Sequence, residues 1–275
     1  MIVDNKKLFV YKNIYRNNLT ESDKENLFCQ SSQIKNFSKI GKNIFHVKER
    51  YDSIYILNEL IGEKISEHFN IDTVKSILAT NDSDYKSYIL LTKIFTNKNE
   101  FYSTFDNLFF KAKINNEIGL DNLKKLKKYI YNGEKHYMDN KNFKNLKYKI
   151  KKMVIRDYIT SQSDRHNYNF LFKVQNNFID LLPLFDYEHS FSENIYCRFN
   201  NYFNFDLSLE KVIKYIKTEQ EFQEILHKAM DININKIIKE IENEYPIKFE
   251  EFEKHDYIDI INENKEKILK HKLLK

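Results

Sequence analysis

The chain has 275 residues and a formal net charge of only +5 at pH 7. Its 41% hydrophobic and 31% charged residues lie in the globular range, which excludes disordered and fibrous proteins. The length suffices for one large domain or two lobes with a buried core.

The sequence contains no apolar run near the ~20 residues that span a bilayer, and its N-terminus lacks the apolar stretch of a signal peptide. The two cysteines, Cys29 and Cys197, lie far apart without metal-ligand spacing. This argues against a disulfide scaffold or a structural zinc site. We therefore expect a cytoplasmic protein that does not enter membranes.

The first third of the chain predicts a small lobe rich in strands. Runs of aromatic and β-branched residues predict strands at 8–15, 43–48, 73–78 and 85–95. One helix interrupts them over 54–69, where apolar residues recur at spacings of three and four.

The rest of the chain is mainly helical in pattern. Predicted helices cover 101–111, 118–131, 142–162, 208–217, 219–230, 232–243 and 250–272. Two short strands, 170–174 and 178–182, predict a hairpin among them. We therefore predict an α+β protein of two lobes, a small N-terminal one over 1–93 and a larger helical one over 94–275.

The segment 111–152 carries 13 lysines against four acidic residues, a net charge of +9. The ordinary interpretation is a solvated helical face. A patch for an acidic partner or nucleic acid is the alternative.

Residues 159–190 hold the polar groups that suit phosphoryl transfer. This chemistry needs a carboxylate to accept the proton of the attacking hydroxyl, and oxygen ligands that hold Mg²⁺ against the phosphates. Asp164, Asn169 and Asp186 have these chemical types, and they occur in the strings DRHNYN and LLPLFD on either side of the predicted hairpin.

An Arg-Asp pair upstream, Arg156-Asp157, also resembles part of a kinase catalytic loop. Five residues after Asp157 stands Gln162 instead of a metal-binding Asn. We therefore reject Asp157 as the base and expect that an Asn at this position leaves the chemistry intact.

The string DRHNYNF…LLPLFDYEHS resembles the catalytic core of the HipA-like kinases, bacterial serine/threonine kinases known largely as toxins. It is more distantly similar to the phosphatidylinositol kinases. The resemblance implies a bilobal kinase-like fold in which Asp164 is the catalytic base and Asn169 and Asp186 bind Mg²⁺. His166 is interpreted as bracing this loop or contacting phosphate.

Upstream matches follow in the order of the family. Ser31, Ser32 and Lys35 resemble the loop on the phosphate side, and Lys48 resembles the lysine that contacts the ATP phosphates. Glu59, in an Asn-Glu pair, resembles its carboxylate partner, although Glu49 and Glu63 stay open as alternatives.

The end of the last predicted strand of the small lobe matches the hinge of the family. The resemblance implies that the backbone of Leu91 and Lys93 bonds the adenine edge. An ordinary strand end is the alternative interpretation.

Three departures distinguish the chain from the family pattern. Gly41 is its first glycine, so no glycine-rich loop precedes Lys48, and Tyr-Glu instead of Phe-Gly follows Asp186. The N-terminal subdomain of the toxins is missing or short, so we expect a short form.

The resemblance implies an ATP- and Mg²⁺-dependent kinase that phosphorylates Ser or Thr on a protein substrate. It implies a toxin of a toxin-antitoxin pair, with an antitoxin or regulatory protein as partner. The alternatives are a phosphoinositide or small-molecule kinase, a non-catalytic ATP-binding interaction protein, and a nucleic-acid-binding protein that uses the lysines of 111–152.

Overall fold

A computed structural model describes residues 2–3, 6–7, 9–12, 18–25, 37–50, 53–81, 88–93, 101–103, 141–162, 165, 171–175, 178–191 and 220–271. The strands are β1 (Ile2–Val3), β2 (Lys6–Lys7), β3 (Phe9–Tyr11), β4 (Phe37–Ile40), β5 (Asn43–Arg50), β6 (Ser76–Asn81), β7 (Tyr88–Lys93), β8 (Phe101–Ser103), β9 (Phe172–Gln175) and β10 (Phe178–Leu181). The helices are α1 (Glu21–Glu25), α2 (Ser53–His68), α3 (Lys141–Ile159), α4 (Gln220–Met230), α5 (Ile234–Glu244) and α6 (Glu251–Lys270).

A five-stranded sheet has the order β3-β6-β7-β5-β4. The central strand β7 is antiparallel to both β5 and β6, and β3 runs parallel to β6 at one edge. The four predicted strands of the small lobe are confirmed with shifted ends. Strand β4 is not among the predicted strands. It is a four-residue edge strand that turns into β5 at Gly41, where a φ of +62° favours glycine.

The two faces of this sheet have different partners. Because side chains alternate along a strand, Phe45 and Val47 point to one face of β5, and His46 and Lys48 point to the other. The first face packs into a small apolar cluster of Tyr11, Phe45, Ala79, Ile89 and Leu91. The opposite face supports α2 through Leu78 and Leu90. Lys48 therefore emerges on the helix side of the sheet.

Helix α2 confirms the prediction over 54–69. Leu57, Ile61, Ile65 and Phe69 are completely or almost completely buried, as the spacing of three and four residues predicts. This face joins α2 to the largest apolar core among the described residues. The helix is thus held firmly beside the strand that carries Lys48.

The predicted hairpin is present as β9 and β10. The prediction of a helix over 101–111 is wrong at its start, because residues 101–103 form β8, which pairs with the free edge of β9. The Phe-Tyr-Ser sequence fits a pleated surface well, and pairing with β9 satisfies its backbone groups. Residues 104–111 lie outside the described part of the chain.

The helices α3 to α6 complete the large core with α2. They confirm the predictions over 142–162, 219–230, 232–243 and 250–272, whereas 118–131 and 208–217 lie outside the described residues. In α5 the isoleucines form one buried stripe, and the Asn233 side chain caps the helix by accepting from the Lys236 backbone N–H. None of the described helices is long and apolar enough to cross a membrane.

Candidate active site around Lys48

Lys48 forms the centre of the candidate site. Its Nζ donates to Glu59 Oε1 and, at 2.7 Å, to Asp186 Oδ1. Glu188 Oε2 lies 3.7 Å from the same nitrogen. The side chain of Lys48 is only 11% exposed. A nearly buried ammonium therefore lies among three carboxylates, one from α2 and two from the segment that follows β10.

Glu59 is the one of the three open glutamates that contacts Lys48. Glu49 is exposed, as expected for the residue that follows Lys48 on the opposite face of the strand. Glu63 is buried one helical turn further along α2, where its Oε1 accepts from the Ser76 backbone N–H at 3.0 Å. The second oxygen of Glu59 accepts from the Tyr187 backbone N–H at 2.9 Å. Glu59 thus links Lys48 to the backbone that follows Asp186.

The electrostatics of this cluster keep Lys48 charged. Burial by itself lowers the pKa of Lys48, but the charges of Glu59, Asp186 and Glu188 outweigh burial and raise it above the usual value. Burial likewise raises the pKa of Asp186, but the Lys48 ammonium prevails and holds it below the usual value. An ionised Asp186 beside a permanent cation is the charge state that metal and phosphate binding need.

Asp186 has a backbone conformation that its neighbours must maintain. Its φ is +63°, in the left-handed region, which few residues other than glycine adopt and which Asp tolerates better than most. The carbonyl of Asp186 accepts from Gln162 Nε2 at 2.9 Å, and the carbonyl of Phe185 accepts from Arg165 Nη1 at 2.8 Å. Hydrogen bonds on both sides therefore fix the direction of the Asp186 side chain.

Sequence reasoning misses the anchoring of Glu188. The Glu188 carbonyl accepts from Asn58 Nδ2 at 2.8 Å, and Asn58 Oδ1 accepts from the Tyr257 hydroxyl of α6 at 2.9 Å. The available signals are the Asn that precedes Glu59 and the acidic residue two positions after Asp186. Neither reveals the contact with Tyr257, because 199 residues separate it from Asn58.

Gly62 explains how α2 approaches this segment so closely. A Cβ at this position would overlap the side chain of Tyr187 and lie 2.7 Å from Arg156 Nη2. The Tyr187 hydroxyl in turn contacts Ser66 Oγ at 3.1 Å and Thr73 Oγ1 at 2.8 Å. A glycine within a helix normally destabilises it, and here it provides space for the residue next to Asp186.

The rejected Asp157 is buried at the end of α3. It is 1% exposed and accepts hydrogen bonds from Arg156 and Arg165. A carboxylate enclosed in this way does not meet a substrate hydroxyl, in agreement with its rejection as the base.

Three carboxylates of the site form a set that suits a cation. Oxygens of Glu59, Asp186 and Glu188 lie within 4.8 Å of one another. Both Glu59 oxygens already accept hydrogen bonds, from Lys48 and from the Tyr187 N–H. Asp186 and Glu188 are therefore better suited than Glu59 to act as metal ligands. Hard oxygen donors of this kind fit Mg²⁺, which takes one or two carboxylates from protein.

Other predicted site residues lie outside the described part of the chain. They are Asp164, His166, Asn169, Ser31, Ser32 and Lys35, as well as residues 111–140 of the lysine-rich segment. Their assigned roles stay predictions.

The two residues predicted for the hinge, Leu91 and Lys93, lie at different places in β7, and their role in binding adenine stays a prediction. Leu91 pairs with Val47 on one side and with Ile77 on the other, and its side chain is 1% exposed. Leu91 therefore lies inside the sheet, which does not fit a hinge that presents its backbone to a ligand. Lys93 is the last residue of β7 and pairs with Phe45 alone, so it fits the strand end better.

No protein-family model and no curated protein matches this sequence. Solved structures do match. The proinflammatory kinase CtkA of Helicobacter pylori has a TM-score of 0.53 and 17% identity, over 85% of this chain and 88% of that chain. HipA of Shewanella oneidensis MR-1, in a complex with HipB and operator DNA, has a TM-score of 0.48 and 11% identity, over 86% of this chain and 62% of that chain.

The match to CtkA confirms the predicted fold class, an α+β kinase-like fold of two lobes. At 17% identity the likeness concerns the fold, and it extends over most of both chains. The boundary between 1–93 and 94–275 stays a prediction.

Proposed function

We propose that this protein is an ATP- and Mg²⁺-dependent kinase that phosphorylates Ser or Thr on a protein substrate. The main observation in support is that the Lys48 ammonium donates hydrogen bonds to both Glu59 of α2 and Asp186, within a kinase-like fold. Phosphoryl transfer depends mostly on positioning and on charge stabilisation. The fixed Lys48 ammonium lies beside the carboxylate of Asp186, whose backbone has the left-handed conformation. This arrangement supports such a role.

In this proposal each residue has one task. Lys48 binds the ATP phosphates, and Glu59 holds its ammonium in place. Asp186 and Asn169 hold Mg²⁺, with Glu188 as a further oxygen donor. Mg²⁺ neutralises charge on the phosphates when it is bound. Asp164 orients the substrate hydroxyl and accepts its proton.

The choice of a protein substrate and of a regulatory partner rests on the sequence resemblance to HipA-like kinases. It extends the proposal to a toxin that an antitoxin controls. A phosphoinositide or small-molecule kinase with the same core is the competing proposal, and it differs only in the acceptor.

The test is transfer of labelled phosphate from ATP with Mg²⁺ by the purified protein, alone and with cell lysate. We expect label on serine or threonine of a protein. Replacement of Asp164 by Asn removes the proton acceptor, so we expect turnover to fall ~100-fold or more while ATP affinity changes little. A matched control is Lys149→Gln, which removes an ion pair between Lys149 and Asp180 away from Lys48.

The other outcomes distinguish the alternatives. Label in phosphoinositides or small molecules, with unlabelled protein, supports the competing acceptor. A rise in melting temperature with ATP and Mg²⁺ but without transfer identifies a non-catalytic nucleotide-binding protein. Normal turnover in Asp164→Asn contradicts the assigned mechanism.

A further inference from the structure

Asp157 holds two arginines in a part of the protein that water does not reach. Arg165 donates from Nε to Oδ2 at 2.9 Å and from Nη2 to Oδ1 at 3.1 Å. Arg156 donates from Nη1 to Oδ1 at 2.8 Å. The exposed fractions are 1% for Asp157 and 0% for both arginines. Buried charges are costly, and this set has one more positive than negative charge.

Arg165 connects this carboxylate to the candidate active site. Its remaining terminal nitrogen, Nη1, donates to the Phe185 carbonyl at 2.8 Å. Phe185 immediately precedes Asp186, and Asp164 immediately precedes Arg165 in the sequence. One guanidinium therefore ties the chain next to the proposed base to the chain next to the proposed metal ligand, and Asp157 fixes that guanidinium to α3.

The second arginine reaches the other neighbour of Asp186. The Arg156 guanidinium lies 4.1 Å from the centre of the Tyr187 ring, and that of Arg165 lies 5.4 Å from it. The face of an aromatic ring attracts cations, which stabilises the excess positive charge. The Tyr187 N–H meanwhile bonds Glu59, the partner of Lys48. Asp157 is thus connected to the residues on both sides of Asp186.

A purely structural ion pair does not need this placement. The contacts end at the carbonyl before Asp186 and at the ring after it, and Asp186 is the residue whose φ of +63° its surroundings must maintain.

We propose that Asp157 is a positioning residue for phosphoryl transfer, which holds the backbone next to Asp186 in place against α3 through Arg165. This inference rests on the proposed function. An Asn at position 157 is therefore expected to slow transfer, in contrast to the expectation from sequence alone.

The test compares kcat and the KM for ATP in Asp157→Asn, Arg165→Lys and wild type, each assayed well below its melting temperature. Small displacements of reacting groups can cost ~100-fold in rate, so we expect kcat to fall ~10- to 100-fold with a KM within ~3-fold of wild type. Arg165→Lys keeps the charge but loses the planar fork that reaches both Asp157 and Phe185. If Asp157→Asn does not fold, Arg165→Lys alone decides.

Lys149→Gln is the matched control, because Lys149 lies on the same helix and bonds Asp180 of the hairpin at 2.8 Å. We expect its kcat to stay within ~2-fold of wild type. Wild-type kcat in Asp157→Asn or in Arg165→Lys, or an equal loss in the control, overturns the inference alone. A wild-type protein without transfer activity contradicts the proposed function and this inference together.

Discussion

Two charged clusters meet at the segment from Phe185 to Glu188, and they are opposite in sign. Around Lys48 one cation faces three carboxylates, whereas around Asp157 one carboxylate faces two guanidiniums. The first cluster opens to solvent at Asp186, whose side chain is 23% exposed. The second is closed. The carboxylates around Lys48 thus lie where a cation can reach them, whereas the guanidiniums around Asp157 lie against the ring of Tyr187.

Lys48→Met breaks the first cluster and has the largest expected effect. Without the ammonium, three carboxylates repel one another, and removal of one partner of a buried ion pair costs ~3–5 kcal/mol of the free energy of unfolding. The carboxylate pKa values rise in the variant, so its stability deficit should shrink as the pH falls. Thermal unfolding between pH 5 and pH 8 measures this, and phosphate transfer should be lost at every pH.

A wild-type melting temperature for Lys48→Met at pH 8 would show that the cluster is not held by its charge. A variant that is stable but inactive would leave Lys48 with a role in chemistry alone.

Gly62→Ala tests the contact between α2 and the shared segment. Ala is the better helix former by ~1 kcal/mol, so destabilisation must come from the overlap with Tyr187, and overpacking of this kind costs ~1–3 kcal/mol. We expect a lower melting temperature and slower transfer, since Tyr187 follows Asp186. Urea unfolding and transfer rates measure the two effects.

Gly41→Ala is the comparison for Gly62→Ala. A Cβ at position 41 meets nothing within 4 Å, and only the positive φ opposes it. This variant should lose some stability and keep its transfer rate. Equal phosphate-transfer rates in Gly62→Ala and Gly41→Ala would contradict the idea that Gly62 supports the active site.

Glu63→Gln concerns a buried carboxyl beside the first cluster and tests its protonation state. Burial raises the pKa of Glu63 to about 8; the hydrogen bonds from Ser76 and the charge of Lys75 oppose this rise, and the charge of Glu59 adds to it. The unfolded state loses this proton near pH 4.5 and the folded state near pH 8, so the folded state binds more protons between these values. Stability therefore falls as the pH rises through this window, by at most ~1.4 kcal/mol per pH unit.

Gln stays neutral and can still accept from the Ser76 N–H. We expect Glu63→Gln to gain stability over wild type at pH 8 and little at pH 4, in chemical denaturation at each pH. An identical pH profile of the two proteins would contradict the assignment of a protonated Glu63.

The sequence predicted the elements that carry their own pattern. The α2 stripe of Leu57, Ile61 and Ile65 is a local periodicity, and Lys48, Glu59 and Asp186 each stand in a short string that resembles the kinase family. It failed at residues 101–103, because the free edge of β9 that captures them is a tertiary feature. The central position of β7, with Leu91 paired on both sides, is likewise a tertiary feature that no local pattern contains.

The supporting residues of the site were harder to predict for a related reason. The sequence around Gly62 does not predict its contact with Tyr187, and the sequence around Asp157 does not predict its connection to the Phe185 carbonyl. These contacts exist only after α2, α3 and the segment after β10 have packed. A sequence motif can identify candidate reacting groups, whereas the groups that hold them in place are identified only from the packed structure.

The hydrogen bond from Tyr257 to Asn58 has a consequence for synthesis. Asn58 stands beside Glu59 and holds the Glu188 carbonyl, yet its own acceptor is satisfied by α6, which the ribosome makes much later. A growing chain can therefore assemble the sheet and α2 early, but it cannot complete this support until α6 has emerged. The order of translation thus delays a finished active site until α6 has been synthesised.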